Sequence, residues 1–341
     1  MNKVGKRTLL LEDENRPNWS GPGNRPLLTE IWYPTSDEAV TSPFKFGSPE
    51  ATFQFGAIAL DTDIKQQDAK FPLVLISHGT GGSALGMGWL GQYLASQGYI
   101  AASVNHHGNN AIEPYLAHGF MLWWERATDF TVLIDKLLNE VDAFKDKIDE
   151  QRIGFAGFSQ GGCTAVMLAG GCCDLDHLQA FCNSELADSI CYGPREFPNI
   201  IDKAPHLMET DSQFRESIDR HKRSYKDNRI KAAFAIAPAL GMAFPAGGLS
   251  MIDIPVQIVV TEIDTEVPPN TNAYRFAELI PGARLEVIPG QADHYVFLNE
   301  ATDAGKRLEP DICIDHPSVD RRQVHQQVSR QATAFFIREL P

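Results

Sequence analysis

Short apolar runs alternate with amphipathic stretches along most of this 341-residue chain. The run FPLVLISHG (71–79) is almost wholly apolar, as expected of a strand that is buried on both faces of a parallel sheet. The stretch WWERATDFTVLIDKLLNEV (123–141) has the spacing of an amphipathic helix. Because alternating strands and helices build a parallel sheet that is covered on both sides, the sequence predicts an α/β fold with a mostly parallel central sheet and helices on both faces.

The order of the predicted elements also locates an insertion. The turn-rich N-terminal part, which includes 27–34 and 51–60, is predicted to form antiparallel strands. Buried strands are predicted at 71–79, 99–108, 152–159, 229–238, 254–264 and 283–290. Residues 172–228 are polar and rich in charge, so we interpret them as a lid-like insertion within a single domain over 1–341. We expect this insertion over the carboxyl-terminal edge of the sheet, where α/β proteins bind their ligands.

Composition excludes several classes of function. The formal net charge is −14, which argues against nucleic acid and anionic membrane surfaces as partners. No run of about 18 apolar residues is present, so no membrane-spanning helix is predicted. The first residues lack the apolar core of a secretory signal, and we therefore expect a cytoplasmic protein. A periplasmic or secreted protein would fit if the chain had been trimmed. The sequence leaves the oligomeric state open.

Five of the six cysteines lie within 163–191. Free buried thiols are the favoured interpretation. A disulfide between Cys182 and Cys191 is an alternative that suits an oxidising compartment. A zinc site is a third, but the spacing lacks a paired C-x-x-C on both sides, so no metal is predicted.

A serine between glycines in GFSQG (157–161) is the strongest sign of chemistry. The five residues fit G-x-S-x-G, and they lie where a predicted strand turns sharply into a predicted helix. Such a turn strains the serine backbone and brings neighbouring chain close, which glycines tolerate. It also exposes the hydroxyl and directs the next amides, at a helix N-terminus, toward developing negative charge. A glycine-rich turn without a catalytic role could have the same sequence, yet the flanking strand and helix favour Ser159 as a nucleophile.

A serine nucleophile needs a base and an acid that orients the base. His294 follows the last predicted strand, in the place that a Ser–acid–His order requires. Asp264 follows the strand before it, in a loop at the carboxyl edge of the sheet. Its rivals for the role of the acid are Glu262, Glu266 and Asp293. Asp293 adjoins the histidine and would reach its Nδ1 with difficulty, so we predict Ser159, His294 and Asp264 as the catalytic residues.

The segment SHGTGGS (77–83) follows the first buried strand and predicts an oxyanion hole. The expected donors are the backbone N–H groups of Thr80 and Gln160, with His78 bracing the loop. Candidates for lining a substrate pocket are His107, Trp123 and Trp124, although a hydrogen-bonded loop histidine and core tryptophans would explain the same residues. Arg126 and Asp129 have i, i+3 spacing and are expected to pair on their helix.

Four motifs, LISHGTGGS, GFSQGG, TEIDTEVPP and ADHYVF, occur in this order. Together they resemble the α/β-hydrolase superfamily across nearly the whole chain. Within it, the sequence is most similar to dienelactone-hydrolase-like and platelet-activating-factor-acetylhydrolase-like esterases, and EIWYP and VNHHGNN add to this similarity. The first relatives carry a cysteine nucleophile, whereas this chain has Ser159. The second take their acid after an earlier strand, where residues 233–244 contain no carboxylate.

The resemblance implies a function. It implies a serine hydrolase that cleaves a small-molecule carboxylic ester through an acyl-enzyme, using a Ser-His-Asp triad and no cofactor. Two alternatives stay open. The same residues could cleave a lactone, thioester or amide, or the chain could be a non-catalytic binding protein on a hydrolase scaffold.

Overall fold

The computed structural model describes all residues from 1 to 341. The strands are β1 (Val4–Pro17), β2 (Asn24–Pro34), β3 (Ser42–Phe46), β4 (Phe53–Leu60), β5 (Phe71–Ser77), β6 (Ile100–Val104), β7 (Ile148–Phe158), β8 (Ile230–Ile236), β9 (Val256–Thr261), β10 (Arg284–Ile288) and β11 (Glu300–Ala301). The helices are α1 (Gly88–Ser96), α2 (Ala117–Met121), α3 (Glu125–Asn139), α4 (Gln160–Leu168), α5 (Leu175–Cys182), α6 (Ala204–Thr210), α7 (Ser212–Asp219), α8 (Ala246–Leu249), α9 (Ala273–Leu279), α10 (Asp303–Leu308), α11 (Pro310–Cys313) and α12 (Arg321–Glu339). None of them has both the length and the apolar content that crossing a bilayer requires.

The strands form one sheet in the order β10-β9-β8-β7-β5-β6-β2-β1-β4-β11, with β3 paired to β4. Neighbours from β10 to β6 are parallel, and β2 pairs antiparallel with both β6 and β1. The predicted α/β fold with a mostly parallel sheet is therefore confirmed. The N-terminal part is more mixed than predicted, because β4 runs antiparallel to β3 but parallel to β1.

Two apolar layers cover the sheet. Along β5, Leu73 and Leu75 belong to one cluster of buried side chains, and Val74 and Ile76 belong to the other. The first cluster contains the apolar sides of α3 and α4, and the second contains those of α1 and α12. Successive side chains of a strand point to opposite faces, so each face of the parallel strands is buried by helices. This packing fixes the strand ends from which the candidate site is built.

The first strand, β1, is absent from the sequence-based prediction. From residue 7 to residue 12, its side chains alternate between half-buried and exposed positions, and its sequence is rich in charge. Two of these charges are buried and paired, Lys6 with Glu30 on the neighbouring β2 and Asp13 with Arg16 on β1 itself. A charged alternating strand lacks the apolar pattern that marks a buried one, which explains why it was missed.

The predicted insertion, 172–228, holds α5, α6 and α7 between α4 and β8. A disulfide joins Cys182 to Cys191, so the expectation of free thiols is wrong for this pair, while the other four cysteines are free. Beside the disulfide, the Ser189 hydroxyl donates to the carbonyl of Glu266 at 3.0 Å. The insertion therefore contacts the loop that follows β9.

Candidate active site

Ser159 lies at the sharp turn between β7 and α4. Its φ of 56° and ψ of −119° are rare for a residue with a side chain. Two backbone hydrogen bonds with the end of β8 and the residues after it hold this strained backbone. The Ser159 amide donates to the carbonyl of Ile236 at 2.9 Å, and the Ser159 carbonyl accepts from the amide of Ala239 at 3.1 Å. Ser159 is only 7% exposed, and it is the residue after which α4 begins.

The glycines around the serine are required by close approach of the backbone. A Cβ on Gly157 would lie 2.0 Å from the carbonyl oxygen of Gly161, and one on Gly161 would lie 2.1 Å from that of Ser77. Carbon and oxygen atoms in contact are ordinarily about 3.5 Å apart, so neither position accepts a side chain without movement of the backbone. The turn is thus packed directly onto the end of β5.

His294 and Asp264 meet beside this turn. The distance from His294 Nδ1 to Asp264 Oδ2 is 2.7 Å, and each residue is 4% exposed. The other carboxylate oxygen of Asp264 accepts from the amide of Val267 at 2.7 Å, which fixes the carboxylate. The His294 ring lies 4.7 Å from that of Phe158, the residue before the serine. The hydrogen bonds of the site do not include one between the Ser159 hydroxyl and His294, a contact that often forms only when substrate binds.

Two of the three rival carboxylates stabilise loops instead. Asp293 accepts from the amide of His294 at 2.7 Å and from the amide and hydroxyl of Thr265 at 2.8 and 2.6 Å. Glu262 accepts from the amide of Gly290 at 3.0 Å. Neither of them contacts the imidazole of His294, whereas Asp264 does.

The two expected oxyanion donors lie on segments that contact each other. The Thr80 hydroxyl donates to Gln160 Oε1 at 3.1 Å, and Asn109 Nδ2 donates to the same oxygen at 3.1 Å. The backbone N–H of Thr80 donates no hydrogen bond within the protein. Gln160 is the first residue of α4, so its N–H has no intrahelical acceptor. Both amides are therefore available to a ligand.

A chain of buried polar groups lies beneath this loop. His78 Nδ1 is 2.7 Å from the carbonyl oxygen of Gly79, and the amide of His106 donates to His78 Nε2 at 3.2 Å. His106 in turn contacts the Ser77 hydroxyl at 2.9 Å and Asp129 at 2.8 Å. Burial, followed by the nearby His106 and Arg126, holds the pKa of His78 well below its usual value. A neutral His78 braces the loop, which is the role that we expected for it.

Asp129 is the centre of this buried network. Its carboxylate is 2.6 Å from Arg16, 2.7 Å from Arg25 and 2.8 Å from His106. The predicted pair between Arg126 and Asp129 does not form, because the chain brings two arginines from the N-terminal strands to Asp129. Arg126 donates instead to the carbonyl of His78 at 2.7 Å. The sequence does not predict this contact, because spacing within α3 carries no information about β1 and β2.

The three candidates for pocket lining lie in the interior. His107 is 2.8 Å from Glu113 through Nδ1, and its Nε2 accepts from the amide of Trp19 at 3.1 Å. Trp124 is fully buried and donates its indole N–H to the Ser217 hydroxyl at 3.0 Å, while Trp123 packs in the same core cluster. Their contacts are those of core residues.

Comparisons with known proteins agree with this architecture. A solved structure titled as a ferulic acid esterase from Streptomyces cinnamoneus superposes with a TM-score of 0.64 at 20% sequence identity, covering 99% of this chain and 90% of that one. The chain has the α/β-hydrolase fold. A family model described as platelet-activating factor acetylhydrolase, isoform II, matches residues 53–120, which include the segment 77–83 that is predicted to form an oxyanion hole but not Ser159. No curated protein matches the sequence.

These findings confirm that the chain resembles α/β-hydrolase serine esterases, as the four motifs predicted. They support an ester hydrolase in general.

Proposed function

We propose that the protein is a serine carboxylic-ester hydrolase that works through an acyl-enzyme. The observation that carries this proposal is the 2.7 Å contact between His294 and Asp264 next to the strained turn at Ser159. A buried carboxylate on Nδ1 holds the imidazole so that Nε2 can accept a proton.

Acylation follows from this arrangement. The Ser159 oxygen attacks the acyl carbon of the ester, and its proton passes to His294 Nε2. Asp264 stabilises the imidazolium that forms. The carbonyl oxygen becomes an oxyanion, which the amides of Thr80 and Gln160 stabilise by hydrogen bonds. When this tetrahedral intermediate collapses, the leaving oxygen takes the proton from His294 and departs as the alcohol.

Deacylation uses the same groups in reverse order. His294 removes a proton from water, whose oxygen attacks the acyl carbon on Ser159. The second oxyanion binds to the same two amides, and its collapse releases the acid and returns the proton to the serine. Every group in this sequence of steps comes from the chain, the ester and water.

The decisive experiment compares the wild type with Ser159→Ala on p-nitrophenyl esters from acetate to palmitate. Methyl ferulate belongs in the panel because of the name of the structural neighbour. We expect kcat to fall by at least about 10³-fold in the variant, since only oxyanion binding and substrate binding remain. Ser250→Ala is the matched control, because Ser250 is exposed and contacts only a carbonyl in its own turn. A Ser159→Ala variant that keeps most of its activity would refute the assigned nucleophile.

A further inference from the structure

Arg126 is a buried cation that contacts the oxyanion loop from beneath. It lies on α3 and is 1% exposed. Its Nη1 donates to the carbonyl of His78 at 2.7 Å, and its Nη2 donates to that of Gly79 at 3.5 Å. The Gly79 carbonyl belongs to the same peptide group as the N–H of Thr80. Arg126 therefore holds the His78–Gly79 peptide closely and makes a longer contact with the oxygen of the next peptide, which carries the Thr80 N–H.

The charge of Arg126 has no carboxylate in direct contact. Asp129 is one turn away on the same helix, but its oxygens are held by Arg16, Arg25 and His106. The Nε of Arg126 is buried without a hydrogen-bond partner. Burial lowers the pKa of Arg126 to about 9, even though Asp129 opposes this shift. A buried cation without a contacting anion is costly, and such groups concentrate where a site uses their charge.

We propose that Arg126 is a positioning residue of the oxyanion hole. It orients and polarises the Gly79–Thr80 peptide, so that the Thr80 amide stabilises negative charge on a bound oxygen more strongly. This inference rests on the proposed function. Hydrogen bonds to a peptide carbonyl strengthen its N–H as a donor. The Gly79 carbonyl also accepts from His78 Nδ1 at 2.7 Å and from the amide of Gly82 at 3.3 Å. The proton of His78 must be on Nδ1, because Nε2 accepts from the amide of His106.

The proposal is tested with Arg126→Met, which removes the charge, and Arg126→Lys, which keeps a cation but lacks the planar guanidinium with its fork of N–H donors. The first readout is kcat and KM on the best neutral ester. The second is inhibition by the trifluoromethyl ketone of the same acyl chain. Ser159 adds to this ketone, its proton passes to His294, and the ketone oxygen becomes an oxyanion. The corresponding secondary alcohol cannot add, so it measures binding alone.

We expect Arg126→Met to lower kcat by about 10- to 100-fold, less than the loss of a direct oxyanion donor. KM and alcohol binding should stay nearly constant, while the inhibition constant of the ketone rises by the same factor as kcat falls. Arg126→Lys should lose less on both measures. The control is Arg321→Met, because Arg321 is also buried and donates to two backbone carbonyls outside the site. Arg321→Met should lower the unfolding midpoint and leave the inhibition constant of the ketone unchanged.

Two results would overturn the inference. One is a folded Arg126→Met variant with wild-type kcat, and the other is a loss of kcat with unchanged ketone affinity. If Arg126→Met does not fold, the same comparison is made on Arg126→Gln, which removes the charge but keeps an N–H donor, and unchanged kcat and ketone affinity there would overturn the inference. A wild-type protein that hydrolyses no ester would refute the proposed function itself, so the two failures are distinguishable.

Discussion

Gly157→Ala offers a strict steric test of the turn around Ser159. The added Cβ would lie 2.0 Å from the carbonyl oxygen of Gly161, 2.3 Å from its carbonyl carbon and 2.9 Å from the amide of Gly162. These are backbone atoms, so no side chain can rotate away. An ordinary contact of about 3.5 Å requires the two segments to separate by more than about 1 Å. We expect a stability loss of about 1–3 kcal/mol from overpacking.

The effect on catalysis should exceed the effect on stability. A shift of about 1 Å in a reacting group can lower the rate by about 10²-fold, and here Ser159 and the Gln160 amide lie within the displaced turn. The assay is kcat on p-nitrophenyl acetate at a temperature well below the unfolding midpoint, with urea unfolding followed in parallel. Gly247→Ala is the control, since nothing lies within 4 Å of its Cβ. Wild-type kcat in a folded Gly157→Ala variant would contradict the steric account.

Three further predictions follow from single contacts. Asp264→Asn should lower kcat by about 10³- to 10⁴-fold, because an amide on His294 favours the wrong tautomer; a loss below tenfold on p-nitrophenyl acetate would remove Asp264 from the triad. Cys182→Ser opens a loop with a sequence separation of 9, and the lost chain-entropy restraint should lower the free energy of unfolding by about 2.5 kcal/mol. Equal urea midpoints of the wild type with and without dithiothreitol would contradict this prediction. Burial would raise the pKa of Asp129, but its arginine partners hold that pKa well below the usual value. Asp129→Asn should therefore cost about 3 kcal/mol at neutral pH, and the gap in urea stability from wild type should narrow below about pH 4, as the unfolded carboxyl becomes protonated. A gap independent of pH would contradict this explanation.

The parallel half of the sheet could be predicted because its signals are local. The helix expected at 123–141 is α3, and the strands expected at 71–79 and 99–108 are β5 and β6. The expected acid and histidine do meet, since the ends of neighbouring parallel strands fall at one edge of a sheet. Local patterns were enough for the strands and the helix, and the order of the strands was enough for the acid and the histidine.

The rest depends on contacts between distant segments. Asp129 was expected to pair with an arginine within α3, yet its arginine partners come from β1 and β2, more than 100 residues away. Free thiols were favoured over a disulfide between Cys182 and Cys191, because the spacing of cysteines alone does not distinguish free from paired thiols. The tryptophans at 123 and 124 lie in the core, as aromatic residues at the start of a helix commonly do. In each case, tertiary packing decided what local sequence could not.

The most direct test of the central claim is to trap the acyl-enzyme. The wild type is mixed with p-nitrophenyl acetate, quenched in acid within the first turnovers and digested for mass spectrometry. We predict one acetyl group on the peptide that contains Ser159 in the wild type, and none in Ser159→Ala. Rapid release of p-nitrophenol with acetyl on another residue, or with no acetylated peptide at any quench time, would contradict this prediction.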